Sequence, residues 1–338
     1  MIIFVMNKGI KMNLFEFTER FPNEQACKNH LRKARQKQGI VCSKCCNDHH
    51  FYMENAEKWQ CYNCGSRIGL KSGTIMYKSK LSVLSWYKCM HLMTAGKHTY
   101  SALEIQRQIK EKSHSAVWFM MQKIRVAMGT RDKLYKLKNE VELDEGFFRI
   151  VPLTNEQDSL GETVKVDKFG EVHPCNPKNK AGKGSPYQRA VLVMVESKAT
   201  GIEKPHDKGR IMGYCKMVAL DAVTINGIKH EVSQCIDSNA TVISDNSTSY
   251  DFADLVKQHT PTTVTGKYGK NAVTVLPWVH TVISNAKKKF LGVFHSVSDR
   301  YLQNYLNEFV YKLNRRTFTQ RDSFDGVMEM AIAGCWNS

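Results

Sequence analysis

Cys42, Cys45, Cys61 and Cys64 are spaced as C-x2-C, fifteen residues, then C-x2-C. Each pair forms a tight knuckle that points two thiolates at one ion, and two knuckles complete a tetrahedral zinc site. Four thiolates leave no open position, so the expected role of Zn²⁺ is structural: it supplies folding energy, not catalysis. Cys46, His49 and His50 are competing ligands that break the knuckle spacing. A second chemistry is carried by carboxylates. Asp144 in Val-Glu-Leu-Asp-Glu and Asp245 in Thr-Val-Ile-Ser-Asp end or interrupt apolar strands. A carboxylate there is costly unless it is exposed at a sheet edge or ligates a cation. Two of them on neighbouring strands could hold Mg²⁺, a hard ion that prefers oxygen. Asp221, in Val-Ala-Leu-Asp-Ala, qualifies on the same grounds, so the strand-end pattern alone does not single out a pair.

The composition narrows the partners. The chain has 338 residues, 49 Lys and Arg against 32 Asp and Glu, and a net charge of +17. That excess favours a polyanion such as nucleic acid. Apolar residues make up 42%, enough for a real core. No apolar run approaches the roughly 20 residues of a membrane span, and the 1–6 run is too short for a signal-peptide core. A cytoplasmic protein without membrane partners is expected. Eleven cysteines, an odd number, argue in that setting for metal ligation over a disulfide framework.

The elements that must position these residues can be read coarsely. Residues 14–38 read as one or two helices, with Phe15, Phe17, Phe21, Cys27 and Leu31 as buried candidates. The cysteines follow at 40–75, with Phe51, Tyr52, Trp59 and Tyr62 to pack small sheets. Residues 82–128 read as helical. Two segments, 100–109 and 115–128, flank a polar turn at 110–114, with Val117, Met120, Ile124 and Ala127 at helical spacing. Two short helices about a brief turn suit either a helix-turn-helix or an ordinary helical hairpin. Beyond residue 140, strand-like runs fall at 141–148, 189–196, 215–223, 241–245 and 273–278, and helical runs at 249–259, 285–291 and 299–313. This is the pattern of a mixed α/β domain. The polar stretch 154–188 reads as an exposed loop containing Lys178, Lys180 and Lys183.

In this order the residues resemble bacterial insertion-sequence transposases with an N-terminal zinc ribbon and a ribonuclease-H-like DDE catalytic domain. The resemblance runs from about residue 20 to 316. It rests on the four cysteines, on Ser72-Gly73-Thr74 leading to Trp86, and on 100–108 and 116–125. It rests also on Val141-Glu142-Leu143-Asp144-Glu145, on Ser244-Asp245 and on the 280–285 segment. The most specific stretch is Gly292-Val293-Phe294-His295 with Tyr305-Leu306-Asn307-Glu308-Phe309 through Asn314-Arg315-Arg316.

The resemblance implies an α/β fold, a ribonuclease-H-like mixed sheet flanked by helices, preceded by a zinc ribbon and a helical region. It implies four regions: 14–80, helix plus zinc ribbon; 82–132, helix-turn-helix-like; 138–316, the DDE-type domain; and 317–338, a tail. It implies two-metal phosphoryl transfer on DNA with Mg²⁺ or Mn²⁺, Asp144 and Asp245 being ligands. The usual third acid, a Glu, is absent. Thirty-four residues separate Asp245 from His280, and Lys287 follows His280 by seven, where the family carries a basic residue. Alignment on His280-Thr281 puts Asn285 in the acid's place instead. Asp299 reads as a helix cap and Glu308 as structural, although Glu308 is a further carboxylate to weigh as the ligand. A neutral third ligand would weaken Mg²⁺ binding, shift preference toward Mn²⁺, or leave the copy impaired.

For double-stranded DNA, the second helix of the pair would read bases through Ser113, His114, Ser115, Gln122, Lys123 and Arg125. Basic runs at 32–37, 67–80 and 287–289 are either phosphate contacts or solvated faces. Bringing two element ends together calls for a homo-oligomer. Two rival readings are an inactive zinc-ribbon DNA-binding protein and a nuclease of the same fold.

Overall fold

The computed structural model describes residues 12–151, 164–166, 172–174, 185, 187–199, 210–245, 247, 250–262, 276–316 and 320–333. Two compact units result, Met1–Asp132 with Arg315–Ser338, and Lys133–Asn314.

The first unit opens with α1 (Leu14–Arg20), begun by a capping box in which Asn13 and Glu16 bond each other's backbone N–H. Helix α2 (Glu24–Gln38) follows. Phe17, Phe21, Cys27 and Leu31 are buried as expected, whereas Phe15 is 77% exposed. Phe17 and Phe21 share a face four residues apart, and Phe15 projects from another side. Three short antiparallel strands form the ribbon: β1 (His50–Met53), β2 (Lys58–Cys61) and β3 (Arg67–Gly69). Trp59 is buried and sets its ring edge-on to Tyr52 at 5.0 Å, while Tyr62 is exposed and leans on Phe51. Helices α3 (Val83–Thr94), α4 (Ala102–Ile109) and α5 (His114–Asp132) complete the helical part. Val117, Met120, Ile124 and Ala127 are all buried.

The second unit is a six-stranded mixed sheet. Its centre is β4 (Glu140–Val151), a twelve-residue strand. A two-stranded ribbon, β5 (Val164–Val166) and β6 (Val172–Pro174), stands apart from the sheet. On one side of β4 lies antiparallel β7 (Gln188–Ala199), then antiparallel β8 (Arg210–Ala219). After α6 (Ile225–Cys235) the chain crosses to the other side of β4, where β9 (Thr241–Asp245) and then β10 (Gln258–Thr262) lie parallel. The spatial order β10-β9-β4-β7-β8 is that of a ribonuclease-H-like sheet. Helix α7 (Pro277–Val293) is followed by β11 (Val297–Ser298), which pairs with the far end of β4, and by α8 (Leu302–Asn314).

Strand alternation divides the core. Phe148, Ile150, Val191, Val193 and Val195 face α7 and α8. Val141, Leu143, Leu192, Met194 and Val242 face α6, whose Ile228 and Val232 meet them. The apolar run in β7 is buried on both faces, as a central strand requires.

Four expectations need correction. Trp278 is helical, because Pro277 occupies the first position of α7 and presets its φ; residues 273–275 lie outside the described residues. Of the expected 249–259 helix, residue 249 lies outside the described residues and 250–259 form a turn and then the start of edge strand β10, where Pro261 is tolerated because its missing N–H is not needed at an edge. Strand 215–223 instead starts at Arg210 and ends at Ala219. The expected tail carries α9 (Gln320–Ala333), whose Phe324, Val327, Met328 and Ala331 are buried in the first unit. Phe324 packs its ring within 6.0 Å of Phe17 and within 5.9 Å of Phe21 and Tyr87. Lys178, Lys180 and Lys183 lie outside the described residues.

Candidate active site

Asp144 and Asp245 are brought side by side by strand pairing. The last registered pair between β4 and β9 is Leu143 with Ser244, so the two aspartates are the next residues along. They share a face: Asp144 alternates in phase with Phe148 and Asp245 with Ile243, both in the cluster beneath α7 and α8. Strand β9 ends at Asp245 while β4 continues to Val151, so Asp245 lies at the carboxyl end of its strand and Asp144 within its own.

Helix α7 covers this face. Gly146, two residues beyond Asp144, lets it come close, since a Cβ there would sit 3.2 Å from Ile283. The first turn of α7 thereby sets His280 Nδ1 3.7 Å from Asp144 Oδ2. His280 Nε2 is buried without a hydrogen-bond partner. Lys287 follows by seven residues, which on a 3.6-residue helix returns to the same side within about 20°, and its charge is felt at Asp144. Asn285 is exposed, about 140° round α7 from His280. Glu308 is buried in α8 and takes Lys312 Nζ at 2.8 Å, an internal ion pair. Asp299 faces Arg189 at 3.2 Å and begins a short 3-10 turn. Asp221 lies beyond β8 with its side chain fully exposed, held by Arg189 at 2.6 Å. Of the sequence candidates, the structure thus unites Asp144, Asp245, His280 and Lys287.

The electrostatics follow from crowding like charges in a dry place. Burial, then the Asp245 and Glu145 charges, raises the Asp144 carboxyl to about 7, although the Glu145 N–H and Lys287 oppose this. Glu145 N donates to Asp144 Oδ1 at 2.7 Å. Burial lowers the His280 imidazole, offset by Asp245, and lowers Lys287, offset by Asp144. Two carboxylates and an imidazole are oxygen and nitrogen donors of the kind a divalent cation takes, while among the described residues only the four ribbon cysteines already stand close enough together to hold an ion.

Two residues in this neighbourhood escaped the sequence reading. Glu142 is 2% exposed, two positions before Asp144 on the same strand face, and bonds α7. Tyr250 is buried against Glu145, on the opposite face of β4. The strand-face repeat in Val-Glu-Leu-Asp-Glu signalled Glu142; nothing local signalled Tyr250.

The ribbon brings the sulfurs of Cys42, Cys45, Cys61 and Cys64 within 4.8 Å of one another, the closed tetrathiolate set of structural zinc. Cys46 is exposed and outside this group. The ribbon rests on α2. Arg35 lies 4.8 Å over Trp59 and donates to Gly69 O and Leu70 O, both at 2.9 Å. Arg32 lies over Tyr52 and pairs with Glu54. These two basic residues of 32–37 are therefore engaged within the unit.

The α4–α5 pair has the short turn of a helix-turn-helix, with Lys110 in the left-handed conformation. Ser113, His114 and Ser115 are exposed at the start of α5. Gln122 and Arg125 are each only 1% exposed, which corrects their expected place among base readers: this stretch of α5 is buried on several sides, with Val117, Met121 and Ile124. Lys123 is half-buried and donates to Tyr77 O at 3.2 Å. Phe119, unnoticed in the sequence, is 55% exposed one turn from Ser115.

A ribonuclease-H-like sheet with adjoining carboxylates at its central strands, together with a four-cysteine ribbon, defines a DDE-type transposase. The chain belongs to the family of the ISXO2-like transposase domain, whose profile matches residues 136–314, and a transposase zinc-ribbon domain matches residues 22–67. No curated protein matches the chain. Among the described residues no helix is long and apolar enough to cross a membrane.

Proposed function

We propose that this transposase binds the ends of its element and cuts and joins DNA in a divalent-metal-dependent reaction. The observation that carries the reading is the register that makes Asp144 and Asp245 neighbours, with His280 Nδ1 3.7 Å from the first. Asp144, Asp245 and His280 would hold the cations, with His280 in place of the family's third acid because Asn285 lies about 140° away round α7. Divalent ions held by these residues would supply activation of the attacking oxygen and charge stabilisation of the leaving one. Lys287, on the same side of α7, attracts the scissile phosphate. Water attacks the phosphodiester at the element end and breaks its P–O3′ bond, leaving a 3′-hydroxyl and a 5′-phosphate; that hydroxyl then attacks a target phosphodiester and displaces the target's 3′-oxygen, which takes up a proton.

An imidazole contributes no negative charge, so Mn²⁺ should support the reaction better than Mg²⁺. Zinc in the four-cysteine site orders the ribbon. Ser113, His114 and Ser115 approach the major groove, while exposed cations contact phosphates. Two copies at least assemble on two ends, acting on DNA in the bacterial cytoplasm.

The test is an oligonucleotide end-joining assay with Mg²⁺ or Mn²⁺. Joined product that vanishes in Asp144→Ala and in Asp245→Ala is the expected result. Cleavage without joining would identify a nuclease. Sequence-specific binding kept by both variants, with no cut product under either metal, would identify an inactive DNA-binding copy.

A further inference from the structure

Helix α7 begins without a conventional cap. Its N-cap is Leu276, whose side chain makes no capping bond, and Pro277 has no N–H. The next two backbone donors, Trp278 N and Val279 N, would be orphaned. Both are taken by one oxygen, Glu142 Oε2, at 2.7 and 3.0 Å. Glu142 comes from near the start of β4, 136 and 137 positions away in sequence. A carboxylate at a helix N-terminus is also favoured by the helix dipole. The residue after Val279 is His280, and the residue two beyond Glu142 on the same face is Asp144.

We infer that Glu142 is a positioning residue: its carboxylate clamps the first turn of α7 to β4 and thereby holds His280 against Asp144. The clamp is itself braced. Ser197, on the neighbouring strand β7, hydrogen-bonds Glu142. Arg210 Nε donates to Ser197 Oγ at 2.6 Å and its Nη2 pairs with Glu140 at 2.5 Å. The line from Arg210 through Ser197 and Glu142 to the α7 backbone fixes the depth and rotation of the helix. It does so on the face where the two aspartates lie. Glu142 itself is bonded to backbone, so it serves neither as ligand nor as acid.

This inference rests on the proposed cation site, and two measurements separate it from that reading. Mn²⁺ binding is followed by electron paramagnetic resonance, and exchange protection is followed at the Trp278 and Val279 amides. Glu142→Ala should lose protection at those amides and bind Mn²⁺ at least about tenfold more weakly, as loss of ligand-orienting bonds does elsewhere. The Mn²⁺ concentration for half-maximal cleavage should rise to match, with the rate largely restored at saturating metal. Glu142→Gln keeps an acceptor oxygen and should restore most of the affinity. Glu308→Gln breaks the buried pair with Lys312 on α8 and controls for plain destabilisation; its Mn²⁺ midpoint should not move. Should Glu142→Ala fail to fold, Glu142→Asp, too short to reach α7, replaces it with the same expectation. A folded Ala or Asp variant with unchanged Mn²⁺ affinity would overturn the inference. Wild-type protein that binds Mn²⁺ no better than the Asp144→Ala, Asp245→Ala double variant would overturn the parent reading instead.

Discussion

The four cysteines fall between residues 42 and 64 and converge through two local knuckles, whereas Asp144 and Asp245 converge only because β9 pairs in parallel with β4. The first site is complete in itself: four sulfurs fill a tetrahedron and exclude substrate. The second, the proposed cation site, is a meeting of two strands and a helix, whose two carboxylates and one imidazole would leave positions on a bound ion for reacting oxygens. A locally closed site depends on its metal to fold, while a site assembled by topology inherits its geometry from the sheet. Removing metal should therefore unfold one and leave the other in place.

The largest effect expected is on the ribbon. Replacing Cys61 by Ser, or stripping zinc with a chelator, should abolish the order of β1–β3, since structural zinc contributes on the order of 10 kcal/mol to small modules of this kind. Loss of dispersed amide resonances from residues 42–70, with those of the β4–β7 sheet retained, is the outcome to look for. A ribbon that stays folded without zinc would remove the contrast. The second effect is catalytic. Asp245→Asn should cut cleavage by about three orders of magnitude or more, with the fold intact by circular dichroism. Residual activity near wild type would show that the pair is not where the chemistry occurs.

The third prediction concerns pH. In the folded chain the Asp144 carboxyl is raised from 3.8 to about 7. The folded state then binds its proton more tightly than the unfolded state. The contribution is fully present below about pH 4, is lost as pH rises toward 7, and is flat beyond. Its size is on the order of a few kcal/mol. Metal-free protein should lose thermal stability across that window, Asp144→Asn should flatten the loss, and Mn²⁺ should reverse it in wild type only. A metal-free melting temperature independent of pH from 4 to 7 would show that Asp144 is not crowded as described.

The same contrast explains what was legible in the chain. The ribbon could be read from spacing alone, and β9 from an apolar run ending in Asp245. The neighbourhood of Asp144 and Asp245 was partly legible, because strand-end carboxylates stand out, but their pairing needed the family resemblance. Asp221 stood out equally and proved to be a surface residue tied to Arg189. The start of α7 was misread because 273–278 is apolar with β-branched residues, and Pro277 reads as a breaker when it is in fact a first helical residue. Helix α6 was missed although Thr224 caps it and Ile228 and Val232 repeat at helical spacing. Helix α9 was missed because its partners, Phe17, Phe21 and Tyr87, lie more than two hundred residues earlier. The sequence offers Gln122 and Arg125 as base contacts and places Arg35 in a run that is either phosphate contact or solvated face, because charge and polarity say nothing of direction; all three are buried.

That direction supplies the smallest and most discriminating prediction. On α5 the outward start, His114 and Ser115, and the inward Gln122 and Arg125 should separate binding from stability. Ser115→Ala and His114→Ala should weaken binding to element-end duplex by about 1 kcal/mol each, some fivefold, with little change in melting temperature. Arg125→Ala should do the opposite. It removes a long, 1%-exposed side chain from the helical core, so it should lower stability by about 2–4 kcal/mol. At temperatures where it stays folded, its affinity for DNA should be near wild type. Fluorescence anisotropy with labelled end duplex, run beside thermal melts, reads both quantities. Arg125→Ala that melts normally yet loses sequence-specific binding would show that α5 presents its other face to DNA, and would return Arg125 to the reading surface.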